Sequence, residues 1–102
     1  MGNRHYDDMA RLRQDVEALI DAGRYRLTVH AQLGHPELAP GDKVAVVRHG
    51  GGDKPDADAP ASQPKYLCWA RLPHHGLCRA VYAIQDSLTG DLVVIITAFP
   101  ED

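Results

Sequence analysis

Long apolar runs are missing from this sequence, and no stretch approaches the roughly 20 apolar residues that a membrane helix needs. The opening residues, MGNRHYDDMARLR, also lack the apolar centre of a secretion signal. Cysteine is scarce, with two residues in 102, and such a chain without a signal more often keeps buried thiols than a bridge. These absences predict a cytoplasmic protein with no membrane partner, in which Cys68 and Cys78 are core thiols.

An excess of positive charge is also missing, since the formal net charge is −3. Nucleic-acid binding draws most of its affinity from Lys and Arg on phosphates, so this balance argues mildly against a polyanion partner. The acidic residues of a probable loop and of the C-terminus account for the excess of negative charge, and the rest of the chain is near neutral. Charge alone therefore does not decide between a protein and an RNA partner.

Metal and cofactor motifs are absent too. The six histidines include the adjacent pair His74-His75, but no Cys-x-x-Cys or helical His-x-x-x-His spacing accompanies them. The glycines of residues 50–52 follow no strand, and no glycine pattern typical of phosphate or dinucleotide binding occurs. The sequence therefore predicts no metal site and no cofactor.

The composition that is present, 44% hydrophobic and 25% charged, predicts a single domain over residues 1–102. Apolar residues recur at helical spacing from Asp8 to Ala22 and predict an amphipathic helix that ends before Gly23. Arg24 to Val29 alternates as a short strand, with Tyr25, Leu27 and Val29 expected on the buried side. Asp42 to His49 fits a strand by its valines and a helix by its ends, and we favour the helix.

A long loop is predicted over residues 50–64, which hold three glycines, three prolines and no large apolar side chain. We interpret it as a flexible connector inside the domain. From Lys65 to Phe99, three runs of strand-forming residues are separated by two turn signals, which predicts an antiparallel meander. The expected fold is α+β, with an N-terminal helix and a short second helix packed on a twisted antiparallel sheet of about four strands.

The strands of the meander can be aligned by assuming a four-residue hairpin loop over residues 73–76. This register places Tyr66, Arg79 and Thr97 on one face, with Arg79 directly opposite Ala70 and Thr97. It also places the two cysteines on opposite faces. The other face collects the larger apolar set and is the expected helix-packing core: Leu67, Trp69, Tyr82, Ile84, Leu92, Val94 and Ile96.

Arg79 is the leading candidate for a binding site, because small neighbours would leave its guanidinium in a shallow hollow that fits a phosphate or carboxylate. Thr97 would share that hollow as a substrate-binding residue. The plainer alternative is an arginine on a solvated face or one paired with an acid from a helix. His30, at the end of the first strand, is a candidate for proton transfer near neutral pH, and Tyr66 is a candidate phenolic acid. Each of these two also has a purely structural explanation, a turn hydrogen bond for His30 and packing for Tyr66.

A series of short motifs runs from the first strand to the end of the chain: Val29-His30-Ala31, Arg48-His49-Gly50, Lys65-Tyr66-Leu67, Ala80-Val81-Tyr82 and Ile95 to Phe99. In this order they resemble the small family called domain of unknown function 4258, which is grouped with the RelE/ParE toxin-like superfamily. The resemblance covers Tyr25 to Phe99. It implies a helical part packed on a twisted antiparallel sheet, and it also favours a helix over residues 42–49.

Carried over residue by residue, the strand-end histidine of the family is His30, and its terminal Ile-Thr-Ala is Ile96 to Ala98. The chain departs from the family pattern at Gln32 to Pro36, which replaces a basic stretch, and at Phe99, which replaces a closing tyrosine. The better-known members of the superfamily cleave messenger RNA on the ribosome. The departures remove basic and hydroxyl groups that such chemistry would use.

Two functions from different classes follow. The first is a metal-independent endoribonuclease of a toxin-antitoxin system, in which Arg79 binds the phosphate, His30 transfers a proton and Tyr66 is a second proton-transfer group. The second is a non-catalytic protein-interaction or dimeric module with the toxin-like fold, whose partner is a second copy or an antitoxin-like protein. We favour the module, because the near-neutral chain and the lost basic residues both argue against RNA.

Overall fold

The computed structural model describes residues 2–101, and within them it has three helices and one five-stranded sheet. The strand order is β1-β5-β4-β3-β2, with β1 parallel to β5 and the other neighbours antiparallel. The predicted α+β class is confirmed. The prediction of about four antiparallel strands is wrong, because the sheet is mixed and has five. In chain order the elements are α1 (Met9–Asp21), β1 (Tyr25–Leu27), α2 (Val29–Leu33), α3 (Pro40–His49), β2 (Gly51–Pro55), β3 (Tyr66–Leu72), β4 (Gly76–Gln85) and β5 (Leu92–Pro100).

The first helix forms where its apolar spacing predicted it. Asp8 is the N-cap, and its carboxylate accepts the backbone N–H groups of Ala10 and Arg11. Gly23 follows the helix with φ of 75°, a left-handed conformation that glycine adopts without strain. The face turned to the sheet buries Leu12, Val16 and Ile20.

The segment over residues 42–49 is helical, as predicted, and belongs to α3. Pro40 starts this helix, and the N–H of Ala39 donates to the Asp42 carboxylate at 3.0 Å. A proline at the first helical position and an acid in the first turn outweigh the strand preference of the valines. No helix within residues 2–101 is long and apolar enough to cross a membrane.

A buried lysine joins α2 to α3. The side chain of Lys43 is only 1% exposed, and its ammonium donates to the backbone oxygens of Ala31 and Gly34 at 2.5 Å each. The other end of α2 is capped by Thr28, whose hydroxyl accepts the N–H of Ala31. Both ends of this single-turn helix are therefore satisfied by side chains.

The first strand is shorter than the sequence predicted. It covers only Tyr25–Leu27, and Val29 already begins α2. The expected burial is wrong for Tyr25 and Val29, which are 38% and 69% exposed, whereas Leu27 is half-buried and packs on the core as predicted. A three-residue edge strand with one neighbour has little sheet to pack against, and the chain leaves the sheet at the Thr28 cap.

Part of the predicted loop is a strand. Gly51 pairs with Trp69 and Lys54 pairs with Leu67, with an irregular register between them where Gly52 has φ of 66°. The prediction of a connector over residues 50–64 is therefore wrong for residues 51–55. An edge strand satisfies its backbone on a neighbouring strand, and it does not need apolar side chains of its own to do so.

The antiparallel meander is confirmed, but the predicted register between β3 and β4 is wrong by one residue. Leu72 pairs with Gly76 and Trp69 pairs with Arg79. The hairpin loop has three residues rather than four, and both His74 and Gly76 adopt positive φ. A slip of one residue turns each β3 side chain to the opposite face relative to β4, so Tyr66 points into the core and Trp69 points away from it.

A β-bulge breaks the register between β4 and β5. Tyr82 pairs with Ile95, whereas Val81 pairs with Thr97. Ile96 and Thr97 therefore both lie opposite Val81. The prediction that Leu92, Val94 and Ile96 belong to the helix-packing core is wrong, because Gln85 pairs with Leu92 and the β5 register is shifted by one residue even before the bulge. The core residues of β5 are Val93, Ile95 and, beyond the bulge, Ala98.

The sheet has two unequal faces. The helices cover one face, and both cysteines are buried there as free thiols. The prediction of core thiols is confirmed, although the two were expected on opposite faces. The other face, termed the outer face, carries the half-buried Leu67, Trp69, Arg79, Val81, Ile96, Thr97 and Phe99.

Candidate functional site

Three side chains form one row across the middle strands of the outer face. Trp69 on β3, Arg79 on β4 and Phe99 on β5 are direct neighbours in the register. The guanidinium carbon of Arg79 lies 5.5 Å from the centroid of the Trp69 ring and 5.8 Å from that of Phe99. Both distances are within the range of cation–π attraction. These three residues are termed the outer row.

The outer row is extended at both ends. The Lys54 ammonium on β2 lies 5.5 Å from the Trp69 ring centroid. At the other end, the ring of His35 stacks on Phe99 with centroids 4.9 Å apart and an interplanar angle of 29°. Side chains from four strands and one loop therefore form a continuous band of cationic and aromatic groups across the outer face.

Arg79 is held in this row by an acid. Its Nη2 donates to Glu101 Oε1 at 2.9 Å, and the backbone N–H of Glu101 is fixed by Leu77 O at 2.8 Å. Of the two explanations for Arg79, the ion pair is therefore the one that the structure shows, with the acid at the end of β5 rather than on a helix. Arg79 Nε and Glu101 Oε2 have no hydrogen-bond partner among residues 2–101. The pair thus keeps unused hydrogen-bonding capacity.

Tyr66 lies on the opposite side of the sheet from Arg79. It is 1% exposed, and its hydroxyl accepts the backbone N–H of Tyr6 at 2.7 Å. The prediction that the two residues share a face is wrong, because it depended on the four-residue hairpin loop. A ligand on the outer face cannot reach this phenol.

His30 and Thr97 occupy different surroundings. His30 is the second residue of α2 and is exposed to solvent. Thr97 lies on the outer face diagonally across from Arg79, since Val81 pairs with Thr97 and Arg79 pairs with Phe99. The structure therefore brings Arg79 and Thr97 onto one surface and separates Tyr66 from them. The chemical roles of these residues stay predictions.

A second polar cluster lies inside the fold. Arg13 on α1 donates to both carboxylate oxygens of Asp53 on β2, at 2.9 and 2.7 Å, and to Val47 O at 2.6 Å. The Tyr82 hydroxyl donates to the same carboxylate at 2.6 Å. The Asp53 side chain is only 4% exposed. This cluster could not be predicted from the sequence, because Arg13 and Asp53 are 40 residues apart and no local pattern links them.

The electrostatics of the interior favour a structural role. Burial and the bond to Asp53 raise the pKa of Tyr82. Burial acts to lower the pKa of Arg13, but the hydrogen bonds and charge of Asp53 outweigh it and the pKa is raised. Burial raises the pKa of the Cys68 thiol to about 12, so this cysteine is not a thiolate nucleophile at neutral pH. These groups keep the protonation states that hold the helices to the sheet.

Known proteins add no independent information about these sites. Within residues 2–101, no three His, Cys, Asp or Glu side chains are arranged to hold a metal ion. Comparison of the chain with protein-family models, curated proteins and solved structures finds no match. The function of the outer row therefore has to follow from its own chemistry.

Proposed function

We propose that this chain is a non-catalytic protein-binding module of the RelE/ParE toxin-like type, and that the outer row binds an extended segment of a partner protein. The observation that carries the proposal is the row itself, in which Trp69 and Phe99 hold Arg79 between them on an open sheet face. Trp and Arg are the residue types that most often dominate the binding energy of protein interfaces, and aromatic residues are enriched there. Their rotamers are already fixed by mutual contact, which lowers the entropy lost on binding.

The surroundings of the row support binding. Leu67, Val81 and Thr97 form the next row on the same face, and all three are half-buried. The buried core includes residues of all three helices, and they pack on the opposite face. An apolar strip beside a fixed arginine is a surface that a partner chain can cover.

Charge selects the chemistry of the partner. Lys54, Arg71 and Arg79 lie on or beside the row. Among the described residues, the carboxylates near it are those of Glu101, paired with Arg79, and Glu37, which lies 3.3 Å from His35. A segment with Asp or Glu next to an aromatic or aliphatic side chain complements this surface. A second copy would instead bring the same cations face to face, which opposes association. An acidic, antitoxin-like partner is therefore favoured over a homodimer.

The endoribonuclease hypothesis has less support. Cleavage of a phosphodiester needs a base, an acid and a cation around one phosphate. On the outer face, Arg79 is already paired with Glu101, and the Tyr66 phenol is buried on the other side of the sheet. The outer face therefore favours a protein segment over RNA.

Selection of random peptides on the full chain tests the proposal. The enriched peptides should combine an acidic residue with an aromatic or aliphatic one and bind with Kd on the order of 10 µM. Trp69→Ala should weaken their binding at least about tenfold. Arg11→Gln, an exposed arginine of α1 on the opposite side of the sheet, is the control and should leave binding unchanged. Circular dichroism of each variant verifies folding.

Three results would replace this assignment. Peptides that bind Trp69→Ala and Arg79→Ala as tightly as the original chain would place the binding site elsewhere. A dimer in light scattering that Trp69→Ala dissociates would make a second copy the occupant. Binding or cleavage of single-stranded RNA that Arg79→Ala abolishes would favour the ribonuclease.

A further inference from the structure

A groove of about 360 Å³ opens on the outer face, at the end of the sheet away from the outer row. Its floor is another row of register neighbours, Arg26 on β1, Val94 on β5 and Ala83 on β4. Ile96 lies beside them. This concavity, termed the end groove, combines an apolar floor with a cation at one side.

The segment between β2 and β3 forms the wall of the end groove. Pro60, Gln63 and Lys65 line it. The segment is folded into turns, in which the N–H of Gln63 donates to Pro60 O and the N–H of Asp56 donates to Lys65 O, both at 2.9 Å. The wall is thus shaped by backbone hydrogen bonds, although its composition predicted only a connector.

The N-terminal segment continues this wall. The backbone of Asn3 forms an isolated antiparallel bridge with Gln85, the last residue of β4. The Nδ2 atom of Asn3 donates to Pro64 O at 3.0 Å. The other side-chain atom of Asn3, Oδ1, is buried and accepts no hydrogen bond from any residue in the range 2–101. Buried polar atoms are nearly always satisfied, and a rotation of the Asn3 side chain would turn this acceptor towards a donor in the groove.

The charges of the end groove have one sign. Arg26 and Lys65 are among its lining residues, which include no acid. Neither cation forms an ion pair with another described residue. Among residues 2–101, the side chain of Arg26 makes only a long contact of 3.4 Å with Gln85 Oε1. An anion in the groove would therefore meet two cations that are not already neutralised.

We propose that the end groove binds an N-acylated apolar amino acid through its free carboxylate. The carboxylate lies between Arg26 and Lys65, and the apolar side chain lies on Val94 and Ile96. The amide N–H donates to Asn3 Oδ1 after the Asn3 side chain rotates to expose this atom to the groove. The same chemistry occurs at the C-terminal residue of a protein and in a free N-acyl amino acid. The proposal does not depend on the outer row, which lies at the other end of the sheet.

A titration of the isotope-labelled full chain, followed by NMR, tests the proposal. The probes are N-acetyl-leucine, the peptide N-acetyl-Ser-Gly-Val-Leu with a free carboxylate, and the same peptide with its C-terminus amidated. The free acids should shift the backbone amides of Arg26, Ala83 and Val94 saturably, with Kd on the order of 1 mM or lower. Amidation should weaken binding at least tenfold.

Variants make the test specific. Arg26→Gln and Lys65→Gln should each weaken binding at least about fivefold, because each removes one of the two cations that hold the carboxylate. Both keep a side chain of similar length and leave the core untouched. Trp69→Ala should leave the Kd of the free acids unchanged. A failure of the end-groove proposal can therefore be told apart from a failure of the outer-row proposal.

Equal affinity of the acid and the amide would overturn the proposal, as would the absence of saturable shifts up to about 20 mM. Shifts confined to residues outside the groove would overturn it as well. If the acids bind as proposed, the peptide and N-acetyl-leucine then distinguish the source. Tighter binding of the peptide indicates the C-terminus of a protein, and equal binding indicates a free small molecule.

Discussion

The buried ion pair of Arg13 and Asp53 gives a quantitative test of how the helices are held to the sheet. Asp53→Asn keeps the shape of the side chain but removes its charge, so a guanidinium that is only 16% exposed loses its closest counter-ion and keeps only the more distant Glu17 carboxylate at 3.9 Å. The amide nitrogen also takes the place of a carboxylate oxygen that accepts hydrogen bonds. Removal of one partner of a buried pair costs about 3–5 kcal/mol.

The lower end of that range applies here. Arg13 keeps its bond to Val47 O at 2.6 Å and retains some contact with water. We therefore expect Asp53→Asn to reduce the free energy of unfolding by about 3 kcal/mol. For a domain of this size, about 4–8 °C per kcal/mol gives a fall in the melting temperature of roughly 12–24 °C. Since small domains have only about 5–15 kcal/mol in total, the effect is large.

Urea denaturation followed by circular dichroism measures the change. The matched control is Asp21→Asn, which breaks the exposed contact to Arg48 at 2.7 Å and should have little effect. The double variant Arg13→Gln, Asp53→Asn should cost less than the sum of its two single variants, because the second change removes the stranded charge. A loss below about 1 kcal/mol for Asp53→Asn, or strict additivity, would refute the reasoning.

Two further predictions concern the interior around Cys68. Gly50→Ala should destabilise the protein by about 2 kcal/mol, because the added Cβ would lie 2.5 Å from Val46 O and 2.9 Å from Cys68 Sγ. Gly51→Ala meets nothing within 4 Å and should be near neutral, and a reversed order in thermal melts would contradict this. Alkaline pH should also destabilise the fold: burial raises the pKa of the Cys68 thiol from 9.0 to about 12, so the folded state keeps a proton that the unfolded chain loses. Stability present below about pH 9 should fall as the pH rises towards 12, and equal unfolding free energies at about pH 7 and 10.5 would disprove it.

The elements fixed by local signals could be predicted from the sequence. The Asp8 cap, the helical spacing that follows it and Gly23 define α1 within one residue at each end. Pro40 and Asp42 decide that the valine-rich segment is the helix α3 rather than a strand. Each of these signals lies within a few residues of the structure that it specifies.

The register of the sheet could not be predicted in the same way, because it depends on single residues at the turns. A glycine at the left-handed position is typical of a three-residue hairpin loop, and Gly76 was the available signal for it. The bulge opposite Val81 has no such signal. Strand β2 was missed because its stability depends on the edge of β3 and not on its own side chains.

The candidate site shows the consequence of that error. Arg79 and Thr97 were correctly placed on one face, but Trp69 was assigned to the core and Tyr66 to the site. Trp69 and Tyr66 change places between the two faces when the hairpin loop has three residues instead of four. The aromatic neighbours of Arg79 therefore became visible only in the structure, and they change its environment from an open hollow to a fixed stack.

The connectivity of the chain explains why the outer face is left open. β1 and β2 form the two edges of the sheet, so the segment that joins them must cross its full width. That segment contains α2 and α3, and it crosses on the face that also packs α1. The β3–β4 and β4–β5 connections are short turns and cover neither face, while the segment between β2 and β3 reaches the outer face only beside the end groove. The open outer row and the walled end groove therefore have separate structural origins, so that a change in one segment can alter one site without altering the other.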